Sequence, residues 1–365
     1  MSRFAVILIS LIVPVLFLIA REGAAAGPAE GTKSRMAVFI PANLSGKPAP
    51  LRELRESLVR GISSLGIPVL DEAALQGFMR RHRVRYTGGI DDSYALALKN
   101  EEKVDAVLIS SVELYEDGIP PKIAVMSRMV STGEGPRILW MENVAISGDD
   151  SPGILGLGLI TDHAVLREKV VQSLVLSLRR HLSGEKAVAE KVKKKYDPRS
   201  FYRAPSLASG RSYTVAVVPF FNVSDKKYGT EIMALHFANA LIKDGGFNVV
   251  EPGVLRQRLL HARFIMNEGI TLTDADAVSL TLNADLVLAG KVAEYQDFSG
   301  TMGEPKVEFS ALVIEKMSKL VVWSSISYNR GNEGVFFFDR GRVSTAGRLA
   351  ANMTAAVVSR MSENR

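Results

Sequence analysis

The sequence predicts an α/β fold with mixed sheets, built twice in tandem. Two observations carry that reading: a repeat that spans most of the chain, and the same succession of strand-like and helix-like apolar runs in each half. MAVFIPANLSG at 36–46 matches VAVVPFFNVSD at 215–225, each an apolar run ending in Asn-x-Ser, with Pro41 and Pro219 within one position of each other. From Gly66 to Asp117 a constant shift of 180 superposes the halves without a gap, and 14 of those 52 positions are identical. Among them are Gly66/Gly246, Val69/Val249, Leu75/Leu255, Gly89/Gly269, Ile90/Ile270 and Asp105/Asp285. At a shift of 183 the match resumes, and Trp140 then meets Trp323, the only two tryptophans of the chain.

Each copy reads in the same order. A β run (36–41, 214–220) leads into an amphipathic helix (50–65, 229–244), with Gly66 and Gly246 where a terminating glycine belongs. A short strand follows (67–70, 247–250), then a helix over 72–83 or 252–263 with Leu75, Phe78 and Met79, or Leu255, Leu259 and Leu260, at helical spacing. Gly89-Ile90 and Gly269-Ile270 turn the chain into a short helix for which Ser93 and Thr273 are candidate N-caps. Three strands come next (105–115, 121–130, 137–147; 285–295, 306–315, 319–328), the last pair joined by short polar turns as in antiparallel hairpins. A last long helix starts after Thr161 or Ser344 and runs to 182 or 361. The order β-α-β-α-α-β-β-β-α calls for a mixed sheet with helices packed on it.

The domain boundaries follow from the repeat: a leader over 1–26, a first domain over 33–182, a basic linker over 183–212 and a second domain over 213–365. The leader has Arg3 ahead of an apolar run from Phe4 to Ala20, with Ala24–Ala26 offering a cleavage site before Gly27. A cleaved signal peptide is expected and an uncleaved anchor is the alternative; both carry the rest of the chain out of the cytoplasm. The linker holds eight Lys or Arg against three acids, so most of the net +6 charge sits there. It reads as a solvated helix extension and Pro/Ser/Gly connector, with an anion-binding strip as the sharper alternative. The charge is too mild and too local to indicate nucleic acid. Cysteine is absent, which removes disulfides, thiolate metal sites and a lipidated cysteine anchor.

Catalytic patterns are missing. His82, His163, His181, His236 and His261 form no H-E-x-x-H or H-x-H arrangement, and there is no G-x-S-x-G. The glycines of GILGLGLI at 153–160 lack the G-K-S/T ending of a phosphate loop, and the second copy reads GVFFFDRG at 334–341. The basic run at 79–86 has an apolar counterpart at 259–266 and reads as a solvated face. No catalytic, cofactor or metal residue is therefore expected, and an enzyme is not. What the two loops share is apolar character just before a helix, which nominates Ile154, Leu155, Leu157, Phe336, Phe337 and Phe338 for partner contact, with burial against the domain as the competing reading.

VAVVPFFNVSD at 215–225, Tyr228-Gly229, GGFNVVEPGVLRQRLL at 245–260 and ADLVLAGKVAEY at 284–295 resemble the curli-secretion channel (CsgG-like) superfamily, over most of 213–361 and more weakly over 35–182. The resemblance implies a periplasmic α/β domain related to the N-terminal domain of TolB, in proteins that serve envelope assembly through protein–protein contact without catalysis. Two departures stand out: the lipobox cysteine is missing, and the connections at 116–120 and 296–305 are too short for inserted membrane hairpins of about 9–11 residues per strand. The expectation is an exported adaptor in the periplasm or at the outer membrane, with envelope proteins as partners, peripheral outer-membrane association and homo-oligomerisation as further expected contacts, and no cofactor. A secretion-pore subunit and a periplasmic ligand-binding module are the alternatives.

Overall fold

A computed structural model describes residues 34–150, 158–185, 192–207, 211–263, 271–300, 303–335 and 341–363. The predicted leader lies outside them. The fold is mixed α/β, two mixed sheets packed with eight α-helices among the described residues.

In the first copy the strands are β1 (Met36–Val38), β2 (Ala42–Asn43), β3 (Ala106–Glu116), β4 (Lys122–Ser131) and β5 (Ile138–Ser147), in the order β1-β3-β4-β5 with β2 also on β3. β1 and β2 run parallel to β3, and the last three strands form an antiparallel meander. The helices are α1 (Leu51–Ser64), α2 (Glu72–Arg81), α3 (Asp92–Glu102) and α4 (His163–Leu182). α1 and α4 cover one face of the sheet through Leu54, Leu58, Ile62, Leu166, Val170 and Leu174. α2 and α3 cover one end of the other face through Leu75, Phe78, Ala95 and Leu98. Alternation in β4 separates the faces: Ile123, Val125 and Met129 point to α1 and α4, while Lys122, Ala124, Met126 and Arg128 point the other way.

The second copy repeats this arrangement. β6 (Ser200–Arg203), β7 (Tyr213–Val217), β8 (Phe221–Asn222), β9 (Phe247–Val249), β10 (Leu286–Gln296), β11 (Lys306–Glu315) and β12 (Val321–Arg330) form a sheet in the order β6-β12-β11-β10-β7-β9, with β8 on β10. α5 (Gly229–Asp244) and α8 (Ala346–Ser362) take the places of α1 and α4, and α6 (Pro252–His261) and α7 (Leu272–Leu282) those of α2 and α3. A β-bulge sits between Val112 and Leu114 in β3 and between Val292 and Glu294 in β10, the same place at a shift of 180.

Several local expectations are corrected. The N-caps are Asp91, whose carboxylate accepts from Tyr94 N–H, and Thr271 in a capping box with Asp274, each two residues ahead of Ser93 or Thr273. α4 and α8 are capped by Asp162 and Thr345, each one residue beyond Thr161 and Ser344. The left-handed residue closing α5 is Gly245 (φ 79°), not Gly246. The strand expected at 67–70 is reduced to a single bridge between Met36 and Val69, because Pro68 has no N–H to extend the ladder. Part of the basic segment is structured: Ser200–Arg203 is an edge strand on β12, and Tyr196, Ala204 and Leu207 are buried in the second core.

Candidate functional site: the seam between the copies and the loop necks

The two copies meet along a seam. The face of the first sheet that α2 and α3 leave uncovered is filled by the second copy, with Met126 and Met141 packed on Leu235 and Ala238 of α5. α5 suits this place because it is apolar nearly all round, with Met233, Phe237 and Leu241 on its own sheet and Leu235 and Ala238 on the other. At the start of α8, Gly347 lies so close to the first sheet that a Cβ there would stand 3.1 Å from Glu113 Oε2 and 3.4 Å from Ala124 Cβ.

One end of the seam is closed by an ion pair with essentially no solvent exposure on either side chain. Arg128 donates from Nε to Glu251 Oε2 at 2.9 Å and from Nη2 to Glu251 Oε1 at 2.8 Å, and Nη2 also donates to the Gly88 carbonyl at 2.7 Å. Glu251 in turn caps α6 by accepting from Gly253 N–H at 3.3 Å, and it accepts from Ile90 N–H at 3.3 Å. Burial works against the Arg128 charge, but the attraction and hydrogen bonds of Glu251 outweigh it and raise its pKa. The backbones touch beside this pair: a Cβ on Gly89 would stand 2.8 Å from Gly253 Cα.

Towards the other end lies a buried polar cluster. Asn143 Nδ2 donates to Glu113 Oε2 at 3.1 Å, and His236 Nε2 stands 3.3 Å from the same oxygen without hydrogen-bond geometry. Lys226 Nζ donates to the Glu113 carbonyl at 2.8 Å, and Lys122 Nζ donates to the Phe298 carbonyl at 2.7 Å. Asp297 accepts from Ala346 N–H at 2.7 Å. Burial pushes the ammoniums of Lys122 and Lys226 down, and it pushes Asp297 and the Tyr295 hydroxyl up. Among the described residues no group of three or more His, Asp or Glu side chains could hold a metal ion.

The loops nominated for partner contact leave from matched necks. In the first copy Gly148 N–H donates to the Pro121 carbonyl and Ile160 N–H to the Gly148 carbonyl. In the second, Gly331 and Val343 make the same two bonds with Pro305 and Gly331. A Cβ on Gly148 or Gly331 would overlap the carbonyl oxygen of Ile160 or Val343, so the necks require glycine. Lys195, from the basic segment, ties the second neck further by donating to the carbonyls of Glu333 at 2.8 Å and Gly341 at 3.0 Å. Ile154, Leu155, Leu157, Phe336, Phe337 and Phe338 themselves lie outside the described residues. We expect Gly148→Ala and Gly331→Ala each to lower stability by about 1–3 kcal/mol, read by denaturant titration.

Sequence reasoning missed Arg128, Glu251, Gly253 and Gly347. A signal for Arg128 was present, since it is a charged residue in the middle of a mostly apolar strand and its counterpart in the second copy, by strand register, is Leu312.

No family model matches the chain, and no curated relative does. Solved structures do match it. The PelC dodecamer from Paraburkholderia phytofirmans is similar at 22% identity and a TM-score of 0.32, over 44% of this chain and 96% of that one. Lipoprotein GNA1162 from Neisseria meningitidis is similar at 22% identity and a TM-score of 0.30, over 42% of this chain and 99% of that one. The C-terminal domain of LpoB from Salmonella enterica is similar at 16% identity and a TM-score of 0.27, over 34% of this chain and 87% of that one. Each of these structures is covered over most of its own length by less than half of this chain.

Proposed function

We propose that the protein is a non-enzymatic, exported envelope component of the CsgG-like, TolB-N-like kind, an assembly or adaptor protein of the periplasm or the outer-membrane surface that works by protein–protein contact. Its partners are other envelope proteins, met by the apolar loops around Ile154, Leu155 and Leu157 and around Phe336, Phe337 and Phe338. The observation that carries this reading is the seam. A two-lobed binding protein keeps a crevice with convergent polar groups between its lobes. Here that space is taken by Met126, Met141, Leu235, Ala238 and the Arg128–Glu251 pair. The seam thus joins two copies of one scaffold, and matched necks hold a differently composed loop on each. The domain boundaries drawn at 33–182 and 213–365 belong to the same proposal.

The test is site-specific photo-crosslinking in the native envelope, with the photoreactive residue at Leu157 or at Phe337. Discrete adducts with envelope proteins are expected from both positions. Adducts with lipid alone, or a chain that fractionates away from the envelope, would overturn the reading.

A further inference from the structure

The seam uses two surfaces, and each copy owns both. One is the sheet face left free by the α2/α3 or α6/α7 pair. The other is the outer side of the α1/α4 or α5/α8 pair. Within the chain, the sheet face of the first copy is docked on the helix pair of the second. Among the described residues, the sheet face of the second copy and the helix pair of the first are left over.

Strand register identifies the unused sheet face. Val112 pairs with Val125 ahead of the bulge in the first sheet, and Val292 pairs with Phe309 ahead of the bulge in the second. Lys122, Ala124, Met126 and Arg128 therefore correspond to Lys306, Glu308, Ser310 and Leu312. From the pairing of Trp140 with Met129 and of Trp323 with Val313, the residues Met141, Asn143 and Ala145 correspond to Ser324, Ile326 and Tyr328. The first set is buried or nearly so, whereas Ile326 is 52% exposed and its neighbours on that face are partly open. Tyr202, paired with Ser324 and 54% exposed, extends the same face onto the edge strand.

The unused helix pair is found the same way. Leu54, Leu58 and Ile62 of α1 hold the core places of Met233, Phe237 and Leu241 of α5. The docking residues Leu235 and Ala238 then correspond to Glu56 and Val59, and the buried Asn239 beside them to Arg60. Leu166 matches Leu349, so Gly347, which lies close against the first sheet, corresponds to Ala164, small and exposed. An open groove of about 810 Å³ between α1 and α4 runs along this side, lined by Arg60, Glu168 and Gln172 among others.

We propose that these two leftover surfaces bind each other between copies of this chain, so that the second sheet of one molecule docks on the α1/α4 pair of the next in the manner of the internal seam. The occupant is a second copy because the chain itself shows the equivalent sheet face, that of the first copy, accepting the equivalent helix pair, α5 and α8. Both surfaces carry charges of both signs that can pair across such a contact: Lys291, Lys306 and Glu308 border tyrosines and Ile326 on the sheet, Arg60, Glu168 and Arg179 line the helix groove, and Glu56 is exposed beside it. Two replacements make the outer contact weaker than the inner one. Leu312 stands where Arg128 does, and Asp71, an exposed helix cap, stands where Glu251 does, so the buried ion pair has no counterpart. Because the two surfaces differ, the contact is heterologous and builds rings or open chains rather than a twofold dimer.

Analytical ultracentrifugation of the full chain tests this, with Ile326→Arg on the sheet face and Ala164→Arg on the helix pair. Both positions are exposed, so unchanged melting curves will certify folding. Wild type is expected to associate with rising concentration, and each variant alone to weaken association by about tenfold or more. A 1:1 mixture of the two variants is expected to stop at a two-chain species, since each molecule keeps one intact surface. Wild type that stays monomeric to its solubility limit, or oligomers that survive both substitutions, would overturn the proposal. Either outcome leaves the adaptor reading standing, because that reading needs no second copy.

Discussion

Arg128→Met is expected to lower the free energy of unfolding by about 3–5 kcal/mol, the cost of leaving a buried charge without its partner. The size follows from what remains. Glu251 is fully buried, and without the guanidinium its carboxylate keeps only the N–H groups of Gly253 and Ile90, both at 3.3 Å. The Gly88 carbonyl also loses its donor, and the backbone turn that carries Gly89 loses its tie to β4. Methionine fills much of the same volume, so the loss is electrostatic and not a cavity effect. Arg128→Met combined with Glu251→Gln should recover most of the loss, because glutamine still caps α6 and carries no charge. Guanidinium titrations of the wild type, both single variants and the double variant read this as a cycle. A single Arg128→Met variant within about 1 kcal/mol of wild type would show that the pair does not hold the seam.

The long elements were legible because their signals are local. The meander strands alternate with period two, the helices recur at three and four, and the repeat allowed each reading in one copy to check the other. Cap positions slipped by one or two residues because Asp91 and Ser93, or Thr271 and Thr273, are equally good acceptors by type, and only the direction of the chain chooses between them. The edge strand at Ser200–Arg203 gave no pattern to find, since three of its four residues are exposed. The seam was half legible. α5, GTEIMALHFANALIKD, is apolar on more than one face, where α1, LRELRESLVRGISS, has a single stripe, and a helix of that kind has to be covered on two sides. What covers it depends on contacts between residues more than a hundred positions apart, such as Arg128 with Glu251, and no local period reports those.

Gly253→Ala sets local propensity against that distant contact. Gly253 is in the first turn of α6, where alanine is the better helix former by about 1 kcal/mol, so an isolated helix would gain from the change. In the folded chain a Cβ at this position would overlap the Ile90 backbone, standing 2.6 Å from its carbonyl carbon. Backbone cannot swing aside as the end of a side chain can. The turn at Gly88–Ile90 and the start of α6 must therefore move apart, which pulls Glu251 away from Arg128 and Ile90. We expect a net loss of about 2–4 kcal/mol, overpacking and a weakened ion pair together outweighing the helical gain. Gly77→Ala is the matched control. It lies inside α2 of the first copy, and its Cβ would meet only Arg81 Nη1, at 3.4 Å. There the helical preference acts alone, and a gain of about 0.5–1 kcal/mol is expected. Opposite signs for these two glycine substitutions in denaturant titration would show that backbone contact across the seam, not helix propensity, fixes Gly253; a shared sign would put the close approach of the two copies in error.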